Sequence, residues 1–121
     1  MRLEAAILVL ATGCLGAAAV VTSIAGVGPT QRDLVEGRPA TEAVLGEVHA
    51  LALDGNGGLL VGAQRLLVRV DPDGVAHSVA GVGTLSFADG IAGDNIAAAS
   101  APISSLRGVA RAPDGSIYFS D

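Results

Sequence analysis

Cysteine, tryptophan and lysine are scarce or absent in this chain of 121 residues. The single cysteine, Cys14, excludes a disulfide within the chain, and with only two histidines it provides no zinc-type ligand spacing. All seven basic residues are arginines, they form no cluster, and the formal net charge is −5. Because nucleic-acid binding depends on a cationic face that neutralises phosphates, these features argue against nucleic acid as a partner.

Aromatic residues are also scarce, with two Phe and one Tyr, whereas glycine is abundant, with 17 residues. The apolar half of the sequence consists mostly of Ala, Val, Leu and Ile. Such a composition suits short strands joined by tight turns, since glycine inside a helix costs about 1 kcal/mol relative to alanine. The composition therefore predicts an all-β fold.

An uncharged apolar run spans residues 5–21, after a short start that carries Arg2. Its length is at the lower limit for a membrane-spanning helix, and the small residues at 17–19 form a small-x-small cleavage site. Residues 1–20 are therefore predicted to be a signal peptide, which makes the protein secreted or cell-envelope bound. Two alternatives stay open. Residues 10–14 resemble a bacterial lipobox, in which Cys14 would be lipidated, or the run is a buried strand or follows a misassigned start.

Self-similarity is the strongest signal in the sequence. The segment TSIAGVG at 22–28 returns as HSVAGVG at 77–83, an offset of 55 residues. The segment at 48–61 returns at 106–119, an offset of 58 residues. Two matches in the same order predict a structural repeat, with a loop between them that varies by three residues.

One repeat unit is predicted to contain four short strands, at 49–53, 58–61, 66–70 and 75–80. The turn sequences DGNG at 54–57 and DPDG at 71–74 separate them, and four antiparallel strands per repeat are typical of a propeller blade. Longer connections follow at 29–45 and 84–105. Each contains an acidic residue followed by glycine, at 36–37 and 89–90, and the stretch 39–45 is predicted to form one helical turn.

These motifs resemble the NHL-repeat family of β-propellers. The resemblance rests on G-V-A at 108–110, D-G at 114–115, I-Y-F at 117–119 followed by Asp121, V-D-P-D-G at 70–74 and V-A-G-x-G at 79–83. It covers residues 21–121 and implies a ring of about six blades. Within that ring the chain would hold the last strand of one blade, a full blade at about 46–83, and the start of the next blade at about 106–121.

Too few blades are present to close such a ring, because each blade packs on its neighbours. The sequence therefore predicts a truncated piece of a larger propeller, or copies that assemble into a ring. Departures from the family pattern occur at Leu60 and at residues 62–63, where the family favours Tyr and an acidic residue. The chain also lacks the family's Ser-Gly-Asn-x-Arg stretch before the third strand. Ligand contacts that the family makes from that edge are therefore not carried over.

No residue is assigned a catalytic, cofactor or metal role. The acidic residues at 54, 71, 73, 114 and 121 lie mostly in turns, where Asp serves the backbone, and neither His49 nor His77 has an evident partner. One Gly-rich loop, at 89–95, carries two carboxylates and an amide of the kind that calcium prefers, but its spacing matches no known calcium loop.

The leading hypothesis is a non-enzymatic, exported binding platform whose loops face a partner protein or a surface glycan. The resemblance extends to the propeller section of teneurin-like and Rhs-type surface proteins. The alternative is a fragment of a metal-dependent propeller enzyme similar to lactonases or an amidating lyase. Such an enzyme needs convergent Glu, Asp, Asn or His residues from several blades, and the sequence shows no inward His or Glu repeated at blade spacing. A third possibility is a truncated relative with no role of its own.

Overall fold

A computed structural model describes residues 6–8, 22–26, 36–83 and 95–121, with only the backbone of residues 6–8. In these ranges the chain is all-β, with three antiparallel sheets, two 3₁₀ turns and no α-helix. The strands are β1 (Ala6–Leu8), β2 (Thr22–Ala25), β3 (Arg38–Pro39), β4 (Val48–Leu53), β5 (Leu59–Ala63), β6 (Leu67–Val70), β7 (Val75–Ala80), β8 (Gly108–Arg111) and β9 (Ile117–Ser120). The 3₁₀ turns are Ala40–Glu42 and Ala98–Ser100.

A five-stranded sheet of order β3-β7-β6-β5-β4 forms the centre of the fold, and we call it the central sheet. Strands β4, β5 and β6 each pair with the next one along the chain, and the short β3 joins the outer edge beside β7. The four strands predicted for one repeat are therefore confirmed, with ends shifted by two residues or fewer. Gly55, Gly57 and Gly74 have positive φ in the connecting turns, which glycine adopts without a Cβ clash.

Both faces of the central sheet are covered by apolar clusters, because successive side chains of a strand point to opposite sides. On the first face, Val61, Val68 and Ala76 pack with residues from β2 and the segment 40–45, including Ala25 and Leu45.

On the second face, Leu67 and Ala80 pack with Ile103 and Leu106 from the segment before β8, and Val109 and Ile117 lie against them. Burial of this kind contributes roughly 25 cal/mol for each Å² of apolar surface removed from water.

The β8–β9 pair, here the C-terminal hairpin, repeats the β4–β5 pair with an offset of 58 residues. Leu53 pairs with Leu59 as Arg111 pairs with Ile117, and Ala50 pairs with Gly62 as Gly108 pairs with Ser120. The turns also match. Asp54 donates its N–H to the Gly58 carbonyl at 3.0 Å, and Ala112 donates to the Ser116 carbonyl at 2.8 Å.

The two 3₁₀ turns also correspond at the offset of 58. Gly26 donates its N–H to the Ala40 carbonyl at 2.8 Å, and Gly81 donates to the Ala98 carbonyl at 3.0 Å. The helical turn predicted within 39–45 is thus present as Ala40–Glu42. Gly37, the glycine of the first acidic-Gly step, corresponds to Asn95 at the same offset, and both have positive φ. The sequence alone suggested the glycine of the second step, at 89–90, which lies outside the described residues.

The β1–β2 pair, here the N-terminal hairpin, repeats the β6–β7 pair. Ala25, Ser23 and Thr22 pair with β1 as Ala80, Ser78 and His77 pair with β6. A register shift falls at the same step in both pairs.

Strand β1 lies inside the segment predicted to direct export, so the alternative of a strand in that segment has a structural counterpart at Ala6–Leu8. Signal-peptide cleavage and lipidation remain predictions. In the described residues, the structure has no helix with the length and apolar character that crossing a membrane requires.

Candidate functional site

Five charged side chains form a continuous row across the turn ends of β4, β6 and β7. The row runs Asp54, Arg69, Asp71, His77, Glu36, and carboxylates alternate with cations along it. The pairing of the strands sets this order, because Arg69 of β6 lies directly opposite His77 of β7. When His77 is protonated, two cations lie opposite each other and repel, and Asp71 offsets that repulsion by contacting both.

Asp54 anchors the row at its buried end, with only 3 % of its surface exposed. Its Oδ1 accepts hydrogen bonds from the N–H groups of Asn56 and Gly58, each at 2.7 Å, and its Oδ2 accepts one from Arg69 Nε at 2.7 Å. The Asn56 N–H and then the Arg69 guanidinium hold the pKa of Asp54 below its usual value. A Cβ at residue 58 would overlap Asp54 Oδ2, so glycine is required where the carboxylate folds back on its own turn.

Arg69 joins two parts of the row. In addition to its bond to Asp54, its Nη1 lies 2.6 Å from Asp71 Oδ1. The hydrogen bond to Asp54, followed by the charge of Asp71, raises the pKa of Arg69 above its ordinary value. The guanidinium thus contacts carboxylates from two different turns, and its hydrogen bond to Asp54 ties the turn after β4 to β6.

His77 lies between two carboxylates at the exposed end of the row. Its Nδ1 is 2.9 Å from Glu36 Oε1, and its Nε2 is 3.0 Å from Asp71 Oδ2. Glu36 first, and then Asp71, raise the pKa of His77 above its usual value. With an acceptor at each ring nitrogen, the protonated imidazolium is the form that donates both hydrogen bonds.

Glu36 closes the row from the segment before β3. Its Oε2 accepts the Ser78 N–H at 2.8 Å, and the bond to His77, followed by this backbone bond, lowers the pKa of Glu36. The side chain is 68 % exposed, so this end of the row faces solvent. Sequence reasoning gave His77 no partner, and this was wrong. Glu36 lies 41 residues away, and only the acidic-Gly step marked it as a position of interest.

A shallow groove of about 240 Å³ adjoins the row. Apolar groups of Ile24, Leu53, Leu59 and Pro72 line it, and Asp71 contributes to its wall. Asp71 therefore belongs to both the charged row and the groove.

The other residues singled out from the sequence lie apart from this row. His49 is in β4, with its Nε2 3.6 Å from Glu47 Oε2. Asp114 accepts the Ser116 N–H at 2.9 Å within its own turn, which is the backbone role predicted for it, whereas the Asp71 carboxylate contacts side chains. Asp121 accepts hydrogen bonds from the N–H groups of Ser104 and Ser105 and so ties the loop before β8 to the end of β9.

Two further predictions fall on residues that the structure leaves undescribed. Cys14, the lipidation candidate, lies outside the described residues, as does all but the last residue of the 89–95 loop considered for calcium. In the described ranges, no three His, Cys, Asp or Glu side chains are grouped so that they could hold a metal ion.

No protein-family model matches the chain, and no curated protein matches it either.

Proposed function

We propose that this chain is a segment of an exported β-propeller that acts as a non-enzymatic binding platform for a partner protein or a surface glycan. The observation that carries the proposal is the junction at Asp71, where an apolar groove meets a fixed row of charged groups. Binding sites typically combine apolar walls with a few well-placed polar groups. Here the polar groups are held in place by the sheet before any ligand arrives.

The geometry of the row favours binding over acid–base catalysis. Both ring nitrogens of His77 are engaged by carboxylates, so neither is free to exchange a proton with a substrate. Arg69 is hydrogen-bonded to Asp54 and lies against Asp71, whose buried Oδ1 has no hydrogen-bond partner among the described residues. The exposed Glu36 end offers acceptors for the hydroxyl groups of a glycan or the basic groups of a protein. The metal-dependent propeller enzyme remains the alternative prediction.

Binding is tested with a panel of purified surface polysaccharides and extracellular proteins, immobilised and probed with the purified chain. We expect Glu36→Gln to weaken binding of the ligand found, because it removes the exposed negative charge at the end of the row. Pro72→Ala, at the rim of the groove, is expected to weaken it as well.

Glu42→Gln is the matched control, since Glu42 is an exposed acid in the first 3₁₀ turn and is absent from the row. Equal binding by all three variants and the unchanged chain would overturn the assignment of this surface. Metal-dependent turnover of a lactone or amide substrate would favour the enzyme instead.

Export is tested separately by intact mass measurement after expression in a secretion-competent host. Removal of the first residues up to about position 20 supports a cleaved signal. A lipid adduct on Cys14 supports a lipoprotein, and an intact N-terminus supports retention of β1 in the folded protein.

A further inference from the structure

One face of β4 exposes two large apolar side chains. Leu51 is 45 % exposed and Leu53 is 77 % exposed. Their counterparts in β8, at the offset of 58, are Val109 and Arg111. Val109 packs against the cluster on the second face of the central sheet, and the Arg111 guanidinium lies over Gly55. The central sheet thus covers one face of β8, and the corresponding face of β4 is exposed.

The two terminal hairpins are complementary halves of the same unit. The C-terminal hairpin has the pairing of β4–β5, and the N-terminal hairpin has the pairing and register shift of β6–β7. Each of these hairpins is a separate two-stranded sheet, so within the described residues β9 and β1 each keep one unpaired edge. Placed side by side, they would reproduce the four strands β4 to β7.

We propose that copies of this chain assemble head to tail, with the C-terminal hairpin of one copy and the N-terminal hairpin of the next forming one four-stranded sheet. The inference deepens the propeller proposal and rests on residues 6–8 being retained in the chain. The β5–β6 pairing predicts the intermolecular register. Since Gly62 pairs with Leu67, Ser120 of one copy pairs with Ala6 of the next, and Tyr118 likewise pairs with Leu8.

Side-chain sizes at this interface change in a matched way. Within one chain, a Cβ at Gly62 would overlap Leu106 Cδ2, so a long side chain there requires glycine opposite it. At the proposed interface the corresponding residues are Ser120 and Val48, and the shorter Val leaves room for the larger Ser.

The same exchange occurs at the turn. A Cβ at Gly55 would overlap the Arg111 guanidinium, and the corresponding pair is Pro113 and Leu53. Pro113 is larger than Gly55, and Leu53 is correspondingly shorter than Arg111.

The matched side-chain sizes at both positions favour a second copy as the partner that packs against β4. Ser120 and Pro113 come from one end of the chain, and Val48 and Leu53 come from its middle. The assembly would also cover Leu51 and Leu53 and pair both free strand edges, which otherwise promote uncontrolled association. Head-to-tail contacts close into a ring when the rotation between copies allows it. Each copy would supply the strands of two blades, so a closed ring of four to eight blades would contain two to four copies.

The state of assembly is measured by native mass spectrometry and light scattering on the full chain, after its intact mass confirms that residues 6–8 are present. We expect one discrete oligomer of about two to four chains, each of 11.9 kDa. Leu51→Glu is expected to give a monomer with an unchanged circular dichroism spectrum, since the side chain is already exposed and lies outside the groove. Val82→Glu, at an exposed apolar residue outside the interface, is the matched control and should leave the oligomer intact.

The register is tested by disulfide trapping in a Cys14→Ser background. Ala6→Cys combined with Ser120→Cys is expected to give ladders of linked chains on oxidation. Ala6→Cys combined with Phe119→Cys is the control, because neighbouring residues of a strand lie on opposite faces.

A monomeric full chain, or equal linking by the two cysteine pairs, would overturn the inference. Loss of ligand binding by Glu36→Gln in a chain that stays monomeric would leave the binding proposal standing alone. The two proposals can therefore fail separately.

Discussion

Gly37 and Asn95 share a left-handed backbone conformation, with φ of 71° and 67°. Each lies three residues before the first residue of its 3₁₀ turn. Asn95 is the one non-glycine residue of the described ranges with positive φ. Asparagine tolerates this conformation better than other residues with a Cβ, because its short amide bonds locally to the backbone. The two loops thus solve the same conformational requirement with different residues.

The first prediction uses this relationship. Nothing lies within 4 Å of a Cβ built on Gly37, so a substitution there changes only the backbone conformational energy. We expect Gly37→Ala to lower the free energy of unfolding by about 1 kcal/mol and Gly37→Asn to lower it by less. Urea unfolding of the two variants measures the difference, and an equal loss would contradict the role of positive φ.

The second prediction concerns the contact between the central sheet and β8. Gly62→Ala places a methyl group against Leu106 Cδ2 and is expected to destabilise the fold by about 1–3 kcal/mol. Leu106→Val removes the opposing methyl group, so the double variant should be more stable than the sum of the single effects predicts.

Additive losses in that double-mutant cycle would show that the two residues are not in contact. Gly74→Ala with Leu106→Val serves as the control cycle, because a Cβ on Gly74 meets nothing within 4 Å.

The third prediction is a pH dependence at the exposed end of the charged row. The raised pKa of His77 means that its contribution to stability is present below its usual value of 6.5 and is lost as pH rises through the folded value. The lowered pKa of Glu36 means that its contribution is present above 4.5 and is lost as pH falls. The contact should therefore stabilise the fold most at mildly acidic pH.

A double-mutant cycle of Glu36→Gln and His77→Gln checks this at about pH 5.5 and about pH 8.5. We expect a measurable coupling at the lower pH that weakens at the higher one. A coupling independent of pH would mean that the pair is held by neutral hydrogen bonds rather than by the imidazolium.

The fourth prediction concerns Asp121. Burial alone would raise the pKa of this carboxyl. The hydrogen bonds from the N–H groups of Ser105 and Ser104 outweigh burial, so the pKa lies below its ordinary value. Asp121→Ala should therefore speed hydrogen exchange at the amides of Ser104 and Ser105, while the amide of Ser116, bonded to Asp114, stays unchanged. Unchanged exchange at both serines would show that the carboxylate does not fix the loop.

Much of the fold was predictable from local sequence. Glycine and aspartate mark the turns because the backbone needs positive φ or a local acceptor there, and the apolar segments between them are too short for helices. The repeat offset also predicted which segments would pair alike, as the matching registers of β4–β5 and β8–β9 show. The correspondence between Gly37 and Asn95 escaped the sequence comparison, since the two residues share a backbone conformation and not a side chain.

The charged row shows what the sequence could not supply. Asp54, Arg69 and Asp71 are visible as turn and strand residues, but their contact with one another depends on the pairing of β5, β6 and β7. Glu36 reaches His77 only because β3 returns to the outer edge of the sheet beside β7.

The strand class, the turn positions and the spacing of the repeat follow from local sequence, because they depend on conformational preferences within a few residues. Which faces of the central sheet are covered, which charges meet, and the exposure of Leu51 and Leu53 on β4 became visible with the folded arrangement. Those outcomes depend on contacts between residues far apart in the chain, whose free energy is realised only when the strands have paired and their side chains share a common face.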